Sequence, residues 1–294
     1  DLEEPVAEDL LWEMTRALQH RGPDEVGVYR RGPVGLGHCR LSIIDLGSGR
    51  QPMCNEDGTI WVVYNGEIYN FRSLRRDLEQ KGHRFRSASD TEVILHLYEE
   101  VGPEGVRQLD GMFAFALWDE QQRRLLLARD RVGIKPLYYA TTDRAILFAS
   151  EIKSLLKDPS VPTAVNPVAV DHCLSYYYVP GSQTLLRDVC KLEPAHYLTV
   201  EGGRVKKTRY WDLKFGGEPR RTWREARQAL DDLLRTAVRN HLIADVPVGV
   251  LLSGGVDSSG VLSYAAEIAG RGIRTFTVGF DGEAFEDERP FARL

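Results

Sequence analysis

Cysteine is scarce in this 294-residue chain: Cys39, Cys54, Cys173 and Cys190 are all it has, and no two stand as Cys-x-x-Cys. That spacing argues against a zinc ribbon and a disulfide framework, and it reads as a protein with reduced thiols. No apolar run nears the roughly 20 residues that a membrane-crossing helix needs, so no membrane partner is expected. The opening Asp1-Leu2-Glu3-Glu4 has neither signal-peptide nor transit-peptide character, and a cytoplasmic location is the expectation. Basic residues are not in excess: 38 Lys and Arg against 43 Asp and Glu give a net charge of −5, which makes nucleic acid a poor partner. The seven histidines show no ligand spacing. Two common nucleotide signatures are also missing, the Walker lysine loop and the Gly-x-Gly-x-x-Gly fingerprint.

What is present instead is Ser253-Gly254-Gly255-Val256-Asp257-Ser258-Ser259, set between the apolar run 248–252 and the helix-like stretch 260–267. A buried strand that runs into a small-residue turn opening a helix presents free N–H groups and the positive end of a helix dipole, which suits a polyphosphate. Ser253, Ser258 and Ser259 add hydroxyl donors, and Asp257 can orient a magnesium ion or a backbone amide. The stretch resembles the pyrophosphate loop of enzymes that split ATP into AMP and pyrophosphate while adenylating a carboxylate or carbonyl oxygen.

The chain divides into parts of different character. Residues 8–19 predict a helix with Leu10, Leu11, Met14 and Leu18 on one face. Strand-like runs follow at 34–36, 40–44 and 60–64, helices at 71–81 and 91–100, then strands at 112–118, 124–128, 136–140, 146–149 and 197–200. The last β-run of this part ends near Trp211. Close-spaced strands with grouped helices indicate a largely antiparallel α+β domain. The polar, breaker-rich segment 214–221 reads as a linker, giving domains at 1–213 and 222–294. Beyond it, 223–242 predicts a long amphipathic helix. The phosphate loop, its helix and the run Thr275 to Phe280 make a β-α-β unit, the opening of a parallel α/β sheet. Tyr176-Tyr177-Tyr178 reads as core or interdomain packing. Arg72, Arg75 and Arg76 read as the solvated face of a helix, and Cys39 and Cys54 as semi-buried thiols.

The first part carries motifs of its own: Arg40-Leu41-Ser42-Ile43-Ile44-Asp45, Asn65-Gly66-Glu67 and Ser89-Asp90-Thr91-Glu92. An arginine holds an α-carboxylate by a bidentate fork, an aspartate holds an α-ammonium, and an asparagine amide beside a glycine N–H makes an oxyanion hole. Taken singly each is weak, and Asn65-Gly66 alone reads as a hairpin turn. Taken in order, with His20-Arg21-Gly22-Pro23-Asp24, Gln51-Pro52-Met53, Asp110-Gly111-Met112-Phe113-Ala114-Phe115 and the run Asp130 to Tyr139, they resemble the glutaminase domain of class II glutamine amidotransferases. With the later pyrophosphate loop, nearly the whole chain resembles the glutamine-hydrolysing asparagine synthetases.

The resemblance implies a four-layer αββα sandwich of the N-terminal-nucleophile type, followed by the beginning of a parallel-sheet ATP-pyrophosphatase domain. It implies that Arg40, Leu41, Ser42, Ile43 and Ile44 line a glutamine pocket, with Arg40 on the carboxylate. Asn65 and Gly66 would form the oxyanion hole, and Glu67 and Asp90 would take the amino group. Leu252 and Val278 would flank adenine and ribose, and Ser253, Gly254, Gly255, Asp257, Ser258 and Ser259 would hold the phosphates of ATP, with Mg2+ at Asp257. Aspartate would be activated to β-aspartyl-AMP and aminated by ammonia from glutamine, in a protein whose family admits a homodimer.

The family nucleophile is a cysteine at the mature N-terminus, whereas residue 1 here is Asp. The expectation is therefore a fragment of a longer enzyme, lacking its first strand and the remainder of its synthetase domain. Two alternatives stand beside it: an amidoligase resembling β-lactam synthetases on the same fold without glutaminase activity, and a non-catalytic glutamine- or nucleotide-binding protein.

Overall fold

The computed structural model describes residues 4–216, 221–270, 272–279 and 287–293. Phe280, the end of the last β-run expected from the sequence, and residues 217–220 of the expected linker lie outside them. The chain forms two compact units, Asp1–Leu213 and Lys214–Leu294.

The first unit opens with helix α1 (Glu8–Arg16), which buries Leu11 and Thr15. The hairpin β1 (Glu25–Arg31) and β2 (Val34–Arg40) follows. Then come β3 (Met53–Cys54) and the nine-residue β4 (Ile60–Ile68). Helix α2 (Phe71–Gln80) buries Phe71, Leu74 and Leu78, a spacing of three and four that puts one apolar stripe inward. Helix α3 (Glu92–Val101) buries every residue from Glu92 to Tyr98. Strands β5 (Gly111–Asp119), β6 (Arg124–Arg129), β7 (Tyr138–Thr141) and β8 (Ile146–Ala149) lead to the short α4 (Ile152–Leu155). Helix α5 (Pro167–Tyr176) starts on an Asn166 cap that accepts from the Ala169 amide, with proline in the first turn, where a missing N–H costs nothing. Strands β9 (Val189–Lys191), β10 (His196–Glu201) and β11 (Arg204–Arg209) complete the unit.

The strands assemble as a six-stranded sheet in the order β11-β10-β6-β5-β4-β3, a three-stranded sheet β8-β7-β9 and the pair β1-β2. Pairing within the first unit is antiparallel. Between the sheets lies a core of Val34, Leu36, Val63, Ala116, Trp118, Leu127 and Leu198 with their neighbours. A second core, of Ala140, Leu147, Leu155, Val161 and Val189, closes the other side of the small sheet, with Met14 of α1 packed against it. Helices α2 and α3 cover the outer face of the large sheet, so the layers run helix, sheet, sheet, helix, the αββα sandwich that the family resemblance implied.

The second unit begins with α6 (Trp223–His241), started by a full capping box between Thr222 and Glu225. Strand β12 (Gly249–Leu251), helix α7 (Val256–Ala269) and strand β13 (Arg274–Phe276) form the expected crossover, with β12 and β13 parallel. The four-residue α8 (Arg289–Ala292) follows.

Several local expectations are corrected. The run 40–44 is not a strand: β2 ends at Arg40, whose guanidinium turns back and donates to the carbonyls of Ile44 at 3.0 Å and Asp45 at 2.6 Å, curling the segment into a loop. Asn65-Gly66 is not a turn but sits inside β4, opposite Ala114 and Phe113. Helix α7 starts at Val256, so Val256 to Ser259 are its first turn rather than loop. Tyr176, Tyr177 and Tyr178 are exposed, because α5 ends there with Tyr177 in the left-handed conformation (φ 61°), so they are not core packing. Helix α5 and strands β1, β3 and β9 had no reading of their own in the sequence.

Candidate active site

In the first unit a cavity of about 1300 Å3 opens between the sheets, lined by Arg40, Leu41, Ile43, Ile44, Asn65, Gly66, Glu67 and Asp90 among others. Residues distant in sequence are therefore brought to one cavity. Ser42, between two lining residues, donates its amide to Asp24 at 2.8 Å and so anchors the loop from outside.

Arg40 is buried at the end of β2, where its guanidinium pairs with Glu25 at 3.0 Å as well as holding the two loop carbonyls. An Arg carries five N–H donors, so these three bonds leave capacity for a ligand carboxylate. The loop is stitched to the opposite wall by Asp45, which accepts from Ser48 and from the Ala88 amide at 2.7 Å, two residues ahead of Asp90.

Asp90 sits just before α3 and is also buried. Its Oδ2 accepts from the Tyr64 hydroxyl at 2.6 Å and the Ile68 amide at 2.9 Å, both on β4. Oδ1 receives a longer approach of 3.5 Å from the Ser89 hydroxyl, which leaves it acceptor capacity for a cation. Burial lifts the Asp90 carboxyl above the ordinary range, against the pull of the Tyr64 and Ile68 donors. Glu67, one strand position from Ile68, is pushed up to about 8 by burial and by the nearby Asp90, with Lys135 opposing. Burial lowers Lys135 in turn, while Glu67 raises it. The two neighbouring acids disfavour each other's charged form, and an ammonium placed beside them would relieve that cost.

His38, Gln51, Tyr64 and Lys135 are lining residues that the sequence reading did not single out. His38 Nε2 meets the Tyr64 carbonyl at 2.9 Å, and burial drives this imidazole down to about 4, so it stays neutral. Gln51 accepts from the Tyr64 amide at 2.6 Å. Lys135 is presented by a loop folded around Asp130, which accepts from the amides of Phe113, Val132, Ile134 and Lys135. Gln51 and Lys135 lie inside motifs visible in the sequence; Tyr64 reads there as an ordinary strand residue. Cys39 also lines the cavity, but its thiol donates to the Thr15 carbonyl at 3.1 Å and burial raises it, as it does Cys54, which fits semi-buried thiols.

The second unit holds the other cluster. Leu252 is tied to β13 through its amide on the Phe276 carbonyl and its carbonyl under the Thr277 hydroxyl. Gly254 adopts φ +80° and lies so close to α8 that an added Cβ would stand 2.5 Å from the Phe291 carbonyl carbon, so only glycine fits. The hydroxyls of Ser253 and Ser258 meet at 2.9 Å and brace the turn, with Ser253 also accepting from the Gly255 amide. The first turn of α7, with Asp257, Ser258 and Ser259, directs the helix N-terminus at the space beside β12, a geometry suited to an anion. Asp257 and Ser259 are exposed, and Val278 follows β13 on the surface. A lone carboxylate suits a magnesium ion whose other ligands are phosphate oxygens and water.

The sequence pattern of the glutamine amidotransferase domain matches residues 2–211. The chain belongs to the glutamine amidotransferase domain family. Residues 229–294 match the asparagine synthase pattern. Asparagine synthetase [glutamine-hydrolyzing] 1 of Bacillus subtilis is 40% identical over 284 residues, 95% of this chain and 44% of the relative. The amidase chry2 of Gibberella zeae is 37% identical over 94% of the chain and 43% of its own length. The chain thus spans less than half of these curated relatives. Among solved structures, the glutamine phosphoribosylpyrophosphate amidotransferase of B. subtilis, complexed with ADP and GMP, aligns with a TM-score of 0.54 at 18% identity, over 97% of this chain and 67% of that one, a likeness of fold. No described helix of this amidotransferase chain is long and apolar enough to cross a membrane.

Proposed function

We propose that the protein is a glutamine-dependent amidoligase in which residues 1–213 release ammonia from glutamine and residues from 222 onward begin the ATP-binding domain, joined by a linker at 214–221. The observation that carries this reading is the convergence of Arg40, Asn65-Gly66, Glu67 and Asp90 on one cavity: a fork for the α-carboxylate, donors for an oxyanion and two acids for the α-ammonium. Glutamine hydrolysis needs a cysteine nucleophile, which would act within this same cavity, whose lining extends to Leu36 of β2 and Phe148 of β8. ATP would lie across Leu252 and Val278, with its phosphates on Ser253 to Ser259 and Mg2+ held at Asp257; the acceptor carboxylate would attack the α-phosphorus, giving an acyl-adenylate and releasing pyrophosphate. Aspartate is the proposed acceptor, given relatives named asparagine synthetases, and the cytoplasm the proposed location; a homodimer is the proposed assembly. The amidase relative favours a second reading, in which the same two active sites serve another carboxylate.

The test uses the full-length protein. Asp90→Asn keeps the side-chain volume but removes the charge facing the ammonium. Losing one partner of a buried ionic contact costs about 3–5 kcal/mol, so glutamine-dependent synthesis should fall more than about 100-fold while ammonia-dependent synthesis stays nearly intact. Asp257→Ala should instead abolish synthesis from either nitrogen source while sparing glutamine hydrolysis. Equal loss of both activities in Asp90→Asn would remove it from the glutamine pocket.

A further inference from the structure

On the outer side of the first unit, away from the cavity, two histidines and a ring of glutamates converge. Glu56 lies between β3 and β4, His83 lies in the connection from α2 to α3, and His96 and Glu99 lie on α3. Glu56, His83 and His96 each bring one ligand atom within 4.8 Å of the others. Glu99 Oε2 joins them, 2.8 Å from His96 Nδ1 and 3.4 Å from His83 Nδ1, and Glu56 Oε2 is 3.7 Å from His96 Nδ1. The imidazole centroids are 4.8 Å apart.

We propose that this cluster is a binding site for a zinc-class divalent cation, held by His83, His96, Glu56 and Glu99. Four N and O ligands around zinc stand about 3.4 Å from one another at bond lengths near 2.1 Å, and the separations here bracket that value. The outer contacts carry the argument further. His83 directs its Nε2 at Glu100 Oε1, 3.0 Å away, and the Nε2 of the fully buried His96 faces Glu92 Oε1 at 3.6 Å, beyond hydrogen-bond range. Metal-bound histidines characteristically give the far ring nitrogen to a carboxylate, which fixes tautomer and orientation. The two inner carboxylates are braced in the same way. Asn55 donates to Glu99 Oε1 at 2.7 Å and the Arg84 amide to Glu56 Oε1 at 3.1 Å, leaving each Oε2 pointing inward.

The cationic contacts around the cluster go to its rim: Lys81 to Glu100 Oε2, and the Arg86 guanidinium to the Glu56 carbonyl. A bound ion would clasp the β3–β4 turn, the α2–α3 connection and α3 together. Glu92, which faces His96, holds the Arg86 and Ser87 amides of the same connection that carries Asp90.

The experiment is zinc uptake by the purified chain, read by metal analysis after desalting, by titration calorimetry and by thermal melting. The expected result is one zinc per chain, a melting temperature raised by zinc, loss of both in His83→Ala, and an affinity about tenfold or more weaker in Glu100→Gln. Glu56→Gln, at a partly exposed position, supplies an independent ligand deletion should His83→Ala fold poorly. Cobalt substitution should give d–d bands without thiolate charge transfer. Uptake unchanged by Glu56→Gln and Glu100→Gln, charge-transfer bands placing the metal on cysteines, or no uptake at all would each overturn the proposal.

Discussion

At the scale of single residues the cavity is governed by the cost of burying charge. Glu67, with its carboxyl near 8, holds a proton in the folded chain that an unfolded one releases near 4.5. Its contribution to stability therefore falls as pH rises from about 4.5 to about 8, the opposite of a salt-bridged carboxylate. An ammonium arriving beside it favours the carboxylate form and expels that proton. Glutamine binding near pH 7 should thus release protons, seen by calorimetry as an apparent enthalpy that varies with the buffer's ionisation enthalpy. The release should vanish in Glu67→Gln, and buffer-independent binding by the unmodified protein would place Glu67 away from the ammonium. Much of this site was legible in the sequence because the short motifs that carry Arg40, Glu67 and Asp90, weak one by one, occur together and in order. Tyr64 and His38 were not, since their roles come from a strand pairing and a burial that only the fold creates.

At the scale of elements, β4 decides the geometry of the site. Its central Asn65-Gly66 pair reads locally as a turn, and only the ladder with β5 keeps it extended. The glycine is required by that ladder: an added Cβ would stand 2.2 Å from the Met112 carbonyl oxygen and 2.8 Å from Phe113 Cα, both backbone atoms of β5 that cannot step aside. Gly66→Ala should therefore cost about 3 kcal/mol, the upper end for overpacking, measured as a lower urea midpoint. An unchanged midpoint would mean that β4 and β5 are more loosely joined there than their pairing indicates. The 40–44 segment shows the converse. Its apolar alternation reads as a strand, yet one buried guanidinium bonded to two carbonyls bends it away, a side-chain effect that periodicity does not encode.

At the scale of the whole molecule the two units differ in how much they enclose. The first buries both apolar clusters and nearly every core residue, from Leu11 to Tyr210. Among the described residues of the second, only Val238 and Ala265 are buried, and Leu230, Leu233 and Leu251 are exposed. Helix α6 is long and well capped, but helices owe most of their stability to an apolar face that is covered. Backbone amides that lack such cover open by local unfolding well below the global free energy. Hydrogen exchange on this chain should accordingly split in two: slow, globally limited exchange in β4, β5, β6 and β10, and exchange faster by orders of magnitude through α6 and α7. Equal protection in both units would show that the apolar faces of α6 and α7 are covered in solution, as by self-association, and a dilution series would then distinguish association between chains from packing within one.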